Sequence, residues 1–114
     1  MSRFVLAFPE IDRTKAGLAG AKAVGLAELA RIRSLRVPDG FCVTTEAYRN
    51  ATAGNRGLDS LLNRLLALGV DAKEELEEIC GRIRAVIESV PVPAEVAAEI
   101  VHHLGRLGAG EAYA

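Results

Sequence analysis

The chain has 114 residues, half of them apolar and a quarter charged, with a formal net charge of −1. That length supports one hydrophobic core, so the chain reads as one domain or part of one. The charge balance offers no basic excess for nucleic acid or an anionic membrane, and the aromatics (Phe4, Phe8, Phe41, Tyr48, Tyr113) are not interleaved with Arg or Lys as a base-stacking surface requires.

Residues 3–8, RFVLAF, are a short apolar run of strand formers bounded by Pro9, and they predict a strand buried on both faces. A connecting loop follows from Pro9 to Gly20, with Asp12, Arg13, Thr14 and Lys15 exposed. The next segment, 21–34, predicts a helix with Leu26, Leu29, Ala30 and Ile32 inward and Glu28, Arg31 and Arg33 facing water. Lys22 sits in its first turn, where the helix dipole already places partial positive charge. A lysine there is locally unfavourable unless an anion joins it, and free backbone N–H groups at a helix start suit a phosphate.

Val37-Pro38-Asp39-Gly40 turns the chain, and Phe41-Cys42-Val43 predicts a second short strand. Thr44 or Thr45 then caps a helix whose first turn holds Glu46 and which runs to about Thr52. Gly54-Asn55-Arg56-Gly57 reads as loop. Beyond it Leu58, Leu61, Leu62 and Leu65 follow helical spacing, with Gly69 placed as a stop. Asp71 and Glu74 resemble a capping box for a helix reaching about Ser89, with Leu76, Ile79, Cys80, Ile83, Val86 and Ile87 inward. Pro91-Val92-Pro93 leads into a last helix, with Pro93 in its first turn. Its predicted inward face is Ala97, Ile100, Val101, Leu104 and Leu107, and Gly108 ends it. The closing Ala109–Ala114 starts to look like a strand where the sequence stops, which fits a truncated segment and equally a frayed end. No apolar run approaches the roughly 20 residues that span a bilayer, and no signal-peptide core is present, so a cytoplasmic protein is expected.

Four groups of residues have side chains capable of chemistry. Glu74, Glu75, Glu77 and Glu78 lie on the outward face of an amphipathic helix and read as a solvated surface. His102 and His103 are adjacent, so their side chains diverge by about 100° on a helix instead of converging on a metal. Cys42 and Cys80 lack metal-type spacing and read as buried, reduced thiols. No serine has an identifiable histidine partner for nucleophilic catalysis. Around Lys22 the sequence matches neither G-x-x-x-x-G-K-[ST] nor G-x-G-x-x-G.

A longer pattern is more specific. Gly20-Ala21-Lys22-Ala23, then Ala27-Glu28-Leu29, then Val37-Pro38-Asp39-Gly40-Phe41-Cys42-Val43-Thr44-Thr45-Glu46-Ala47-Tyr48 follow one another in order. This run resembles the N-terminal start of the phosphoenolpyruvate synthase, pyruvate phosphate dikinase and rifampin phosphotransferase group. Those enzymes open with Gly-Gly-Lys-Gly, a helix ending near Gly-Glu-Leu, and a Val-Pro-x-Gly-Phe-x-Val-Thr-Thr-x-Ala-Tyr segment. The strand through Phe8, the order of the later helices and Glu111-Ala112-Tyr113-Ala114 look most like rifampin phosphotransferases. The resemblance implies the first subdomain of an ATP-grasp-type domain, with Lys22 touching ATP phosphate. In the whole enzymes, with Mg²⁺, the β-phosphate of ATP passes to a histidine on a swivelling domain and then to an acceptor, rifampin or pyruvate.

Ala21, Ala23 and Ala27 stand where the family has glycine, and a Cβ at 21 or 23 crowds a backbone that must approach phosphate or take positive φ. The family's Arg-Ser-Ser segment, glycine-rich lid and Mg-binding carboxylates do not occur in the sequence, and His102 and His103 match no part of the phosphohistidine domain. The expected fold is α+β and mostly helical, with about five helices, two short N-terminal strands, and an exposed sheet edge or apolar patch where the remainder docks. The expected function is an ATP-binding subdomain of a rifampin phosphotransferase-like dikinase, inactive alone. The alternatives are a phosphoenolpyruvate synthase-like fragment and a non-catalytic module that has lost the nucleotide site.

Overall fold

The computed structural model describes residues 4–108. In chain order it contains β1 (Val5–Ala7), two 3₁₀ turns (Phe8–Glu10 and Arg13–Lys15), α1 (Ala16–Ala30), β2 (Phe41–Val43), α2 (Thr45–Thr52), α3 (Arg56–Ala67), α4 (Lys73–Ser89) and α5 (Ala94–Leu107). Five helices and one small antiparallel sheet make the α+β, mostly helical fold that was expected. The described chain forms two compact units, one from residues 4–50 and 92–108 and the other from 51–91.

In the first unit β1 pairs antiparallel with β2 in the register Val5↔Val43, Leu6↔Cys42 and Ala7↔Phe41. The ladder is extended at both ends, by Thr44 N–H to Phe4 C=O at 2.9 Å and by Phe8 N–H to Gly40 C=O at 3.2 Å. Residues 4–7 are all buried, as an apolar run enclosed on both faces should be. At Gly40 a Cβ would come within 2.8 Å of the Phe8 ring, so a side chain at the turn into β2 would force that ring to shift. Two small cores flank this ladder. One joins Leu6, Ile11, Val24 and Ala27, with Phe8, Leu18, Ala19, Ala23 and Cys42 packed on it. The other joins Phe4, Ala47 and Val96, with Ile100 beside them.

Helix α1 departs from expectation in phase and in length. The predicted inward residues Leu26, Leu29 and Ile32 are 37%, 44% and 46% exposed, whereas Ala27 is 1% exposed and Val24 is also buried. The helix turns its small residues to the core, which lets it lie close to the ladder; its larger apolar residues are left outside. It ends at Ala30 and not at Ser34. The N–H groups of Arg31 and Ile32 bond to the carbonyls three residues back, Glu28 and Leu29, which tightens the last turn. The Arg31 guanidinium then donates to the Ile11 carbonyl at 2.6 Å and the Pro9 carbonyl at 3.4 Å. That anchor ties the helix end back to the segment preceding it.

Helix α5 is likewise rotated from its predicted face. Val96 and His103 are buried, Ile100 is half-buried, and Val101 is 66% exposed. Pro93 is the cap residue and not part of the first turn, and Gly108 ends the helix at φ +90°. The expected strand-like tail at 109–114 and Arg3 of the first predicted strand lie outside the described residues.

In the second unit α3 and α4 pack against each other, burying Leu58, Leu61 and Ile79. Gly54 at φ +74° makes the turn, and the Asn55 side chain accepts from Leu58 N–H at 3.0 Å to cap α3. Arg56 and Gly57, expected in the loop, are the first helical residues because that cap starts the helix earlier. The predicted stop at Gly69 and capping box at Asp71 are not used. Leu68 ends α3 by turning extended, and Ala72 precedes α4 with no side-chain cap. Leu62, Leu76 and Ile87 of the predicted inward stripes stay more than a third exposed, because two helices alone cannot cover both faces of each other.

Candidate functional site

The approach to Lys22 is built from residue 12 onward. Asp12 accepts hydrogen bonds from the Thr14 N–H at 2.9 Å and from the Thr14 hydroxyl, which fixes the 3₁₀ turn Arg13–Lys15. Those bonds, the hydroxyl first, hold the Asp12 carboxyl below its ordinary value. Arg13 Nε donates to Glu28 Oε1 at 2.8 Å, joining the turn to the body of α1 across its exposed side.

The chain then makes one helical turn, Ala16–Ala19, and breaks. Gly20 has φ +82° and ψ +165°, a conformation essentially restricted to glycine. The helix resumes at Ala21, so residues 21–30 have an N-terminus of their own with the partial positive charge that belongs to it. Lys22 stands in the first turn after the break, exposed, and has no ion-pair partner among the described residues. A Cβ placed on Gly17, Gly20 or Gly25 would meet no atom within 4 Å. The backbone around Lys22 is therefore an open surface that a ligand can reach.

The break settles part of the question raised by the alanines. Among the described residues positive φ is confined to Gly20, Gly54 and Gly108, so Ala21 and Ala23 follow ordinary backbone angles and their Cβ atoms are unstrained. Ala23 packs on the core of the first unit while Ala21 faces solvent.

Two side chains from the junction of β2 and α2 touch the segment ahead of the break. The Thr45 hydroxyl donates to the Gly17 carbonyl at 2.9 Å, and the Cys42 thiol lies 3.5 Å from the Ala19 carbonyl. Burial pushes the Cys42 thiol up, so it stays protonated. Both cysteines are free and half-buried. By sequence pattern Thr44 and Thr45 are interchangeable caps. The structure divides them: buried Thr44 accepts from Ala47 N–H at 3.4 Å, and Thr45 reaches back to Gly17. Nothing local in the sequence signals the second contact, which joins positions 28 apart.

The other candidates take no part. His103 is buried beside Phe41, with ring centroids 5.3 Å apart, and its Nδ1 lies 3.3 Å from Arg106 Nη1. His102 is exposed and meets His103 edge-on, 5.4 Å between centroids. Glu74, Glu75, Glu77 and Glu78 are exposed, and no group of metal-ligating side chains occurs among the described residues. No helix among them is long and apolar enough to cross a membrane.

Comparison with known proteins bears on this arrangement. Residues 16–113 match the family of the pyruvate phosphate dikinase AMP/ATP-binding domain. The full chain is 41% identical to the rifampicin phosphotransferase of Bacillus cereus and 38% identical to that of Bacillus subtilis, covering 13% of each of those proteins. Over 98 residues, 86% of the chain, it is 33% identical to a probable phosphoenolpyruvate synthase of Staphylothermus marinus, covering 12% of that protein. The chain thus spans about an eighth of the length of these relatives.

Proposed function

The chain belongs to the family of the pyruvate phosphate dikinase AMP/ATP-binding domain, and on that premise we propose that it forms the first subdomain of an ATP-grasp-type domain in a rifampin phosphotransferase-like dikinase. Lys22 is its phosphate contact. The observation that carries this reading is the helix restart at Gly20, which sets an exposed, unpaired lysine beside a fresh helix N-terminus on open backbone. Such a place stabilises negative charge twice, through the ammonium and through backbone N–H groups.

ATP supplies the phosphoryl group, and Lys22 neutralises phosphate charge and helps orient the chain of phosphates. Mg²⁺ is expected with ATP, held by carboxylates of the remainder of the domain, since no group of metal-ligating side chains occurs among the described residues. The histidine that carries the phosphoryl group belongs to a further, swivelling domain. Buried His103 is engaged with Phe41 and Arg106 and does not suit that task. The whole enzyme converts ATP, water and an acceptor to AMP, phosphate and the phosphorylated acceptor, with rifampin the acceptor in this reading. Exposed Leu26, Leu29, Ile32 and Leu35 offer an apolar surface on which the remainder of the domain packs. A cytoplasmic location suits an ATP-dependent activity.

A calorimetric titration of the chain with ATP and Mg²⁺, repeated on Lys22→Ala, tests the reading. Loss of one charge-assisted contact weakens binding roughly 10-fold or more. Equal affinity of the two chains overturns the role of Lys22. Negligible heat for both favours a module that keeps the fold without a nucleotide site.

A further inference from the structure

The backbone just ahead of Lys22 has an unusual problem. In an uninterrupted α-helix the carbonyls of Gly17 and Ala19 would accept from the N–H groups of Ala21 and Ala23, four residues on. The chain instead leaves helical geometry at Gly20, and glycine is the residue least able to hold its own conformation. Something outside the helix must define where the break lies.

The donors that do so come from the β2–α2 junction. Thr45 Oγ donates to the Gly17 carbonyl at 2.9 Å. Cys42 Sγ sits 3.5 Å from the Ala19 carbonyl and 3.4 Å from that of Val43, so its single proton serves Ala19 in part only. The two receiving carbonyls are those that a continuous helix would commit to Ala21 and Ala23. The donors are also rigidly placed. Cys42 pairs with Leu6 in the ladder, and Thr45 follows Thr44, whose N–H bonds to the Phe4 carbonyl.

We propose that Thr45, supported by Cys42, is the positioning residue of this site: it clamps the Gly17–Gly20 segment to the strand ladder, holds the helix break open, and so fixes where Lys22 and the amides beside it face the phosphate. This rests on the reading of Lys22 as a phosphate contact. Thr45 itself touches no ligand. Its hydroxyl transfers the rigidity of the β1–β2 pair to a backbone that would otherwise move about Gly20.

The test uses the full chain with Thr45→Val, which keeps the shape and removes the hydroxyl, and Thr45→Ser, which restores it. Amide hydrogen exchange in the absence of ligand is read at residues 18–23, with the ladder amides of Phe8 and Thr44, bonded to the Gly40 and Phe4 carbonyls, as internal reference. Removing one such bond accelerates exchange at 18–23 by roughly 3- to 10-fold in Thr45→Val. The ladder amides stay at wild-type rates, and Thr45→Ser behaves as wild type. Unchanged exchange at 18–23 overturns the proposal, as does an equal acceleration of the ladder, which would mean general destabilisation. Calorimetric titration with ATP and Mg²⁺ then gives a comparable loss of affinity in Thr45→Val, rescued in Thr45→Ser. Undiminished ATP affinity in Lys22→Ala would remove the phosphate reading alone, because the ligand-free exchange data decide the clamp independently.

Discussion

Gly20 and Gly25 offer a matched pair for testing whether the helix break is imposed by the fold. Both lie in α1, and a Cβ on either meets nothing within 4 Å, so replacement by alanine adds no steric clash at either site. They differ in backbone angle. Gly20 sits at φ +82° and ψ +165°, whereas Gly25 lies in regular helix. An L-residue held at the Gly20 angles costs about 1–3 kcal/mol. Alanine at Gly25 removes backbone freedom from the unfolded chain and adds helix propensity, worth about 0.4–1 kcal/mol of stabilisation. The two variants should therefore separate by about 1.4–4 kcal/mol with opposite signs. Urea denaturation followed by circular dichroism measures the difference, with native-state exchange at Leu6 and Ile11 reporting the first unit specifically. If Gly20→Ala is as stable as wild type, the chain has relaxed into a continuous helix and the break is not enforced by its surroundings. That result would also remove the local basis for placing Lys22 at a helix start.

Other consequences are as direct. Gly40→Ala drives a methyl to within 2.8 Å of the Phe8 ring, which is packed on a core, and should cost about 1–3 kcal/mol in a denaturation experiment. Asn55→Ala removes the cap on Leu58 N–H and should destabilise the α3–α4 pair by about 1 kcal/mol, while Asn55→Asp retains most of it; exchange at the amides of α3 distinguishes them. Asp12 is held below its ordinary value of 3.8 by Thr14, so folding binds its proton less tightly than the unfolded chain does. Its contribution is therefore fully present above pH 3.8 and is lost as the pH falls below that through the folded value, with no change near neutrality. A carboxyl-carbon NMR titration checks this, and Thr14→Val should move the midpoint upward towards 3.8.

The order and kind of the elements could be read from the chain because the signals are local. Gly54 and Gly108 end segments through backbone angles that other residues avoid, and Asn55 caps through its own side chain three residues from its donor. Lys22 was recognisable as a lysine in an unfavourable place, next to a glycine free to break a helix. The capping box at Asp71 misled because two nearby starts were chemically acceptable and the chain took the one after Ala72.

What the sequence by itself determined here is the alternation of helix and strand, the place of Lys22 in the first turn of a helix and the family motif from Gly20 to Tyr48. All follow from dihedral preferences and residue spacing within a few positions. Tertiary structure alone decided which face α1 and α5 bury, whereas Leu58, Leu61 and Ile79 of α3 and α4 went in as their spacing predicts. Helix α1 is apolar almost all round, so several stripes could have served, and the small face of Val24 and Ala27 won because it allows close approach to the strand pair. In α5 His103 went in and Val101 stayed out, since Phe41 offers the imidazole a ring to pack on. The link from Thr45 to Gly17 belongs to the same class. A hydroxyl can find a carbonyl 28 residues away only after the strands have paired, so no local pattern encodes it.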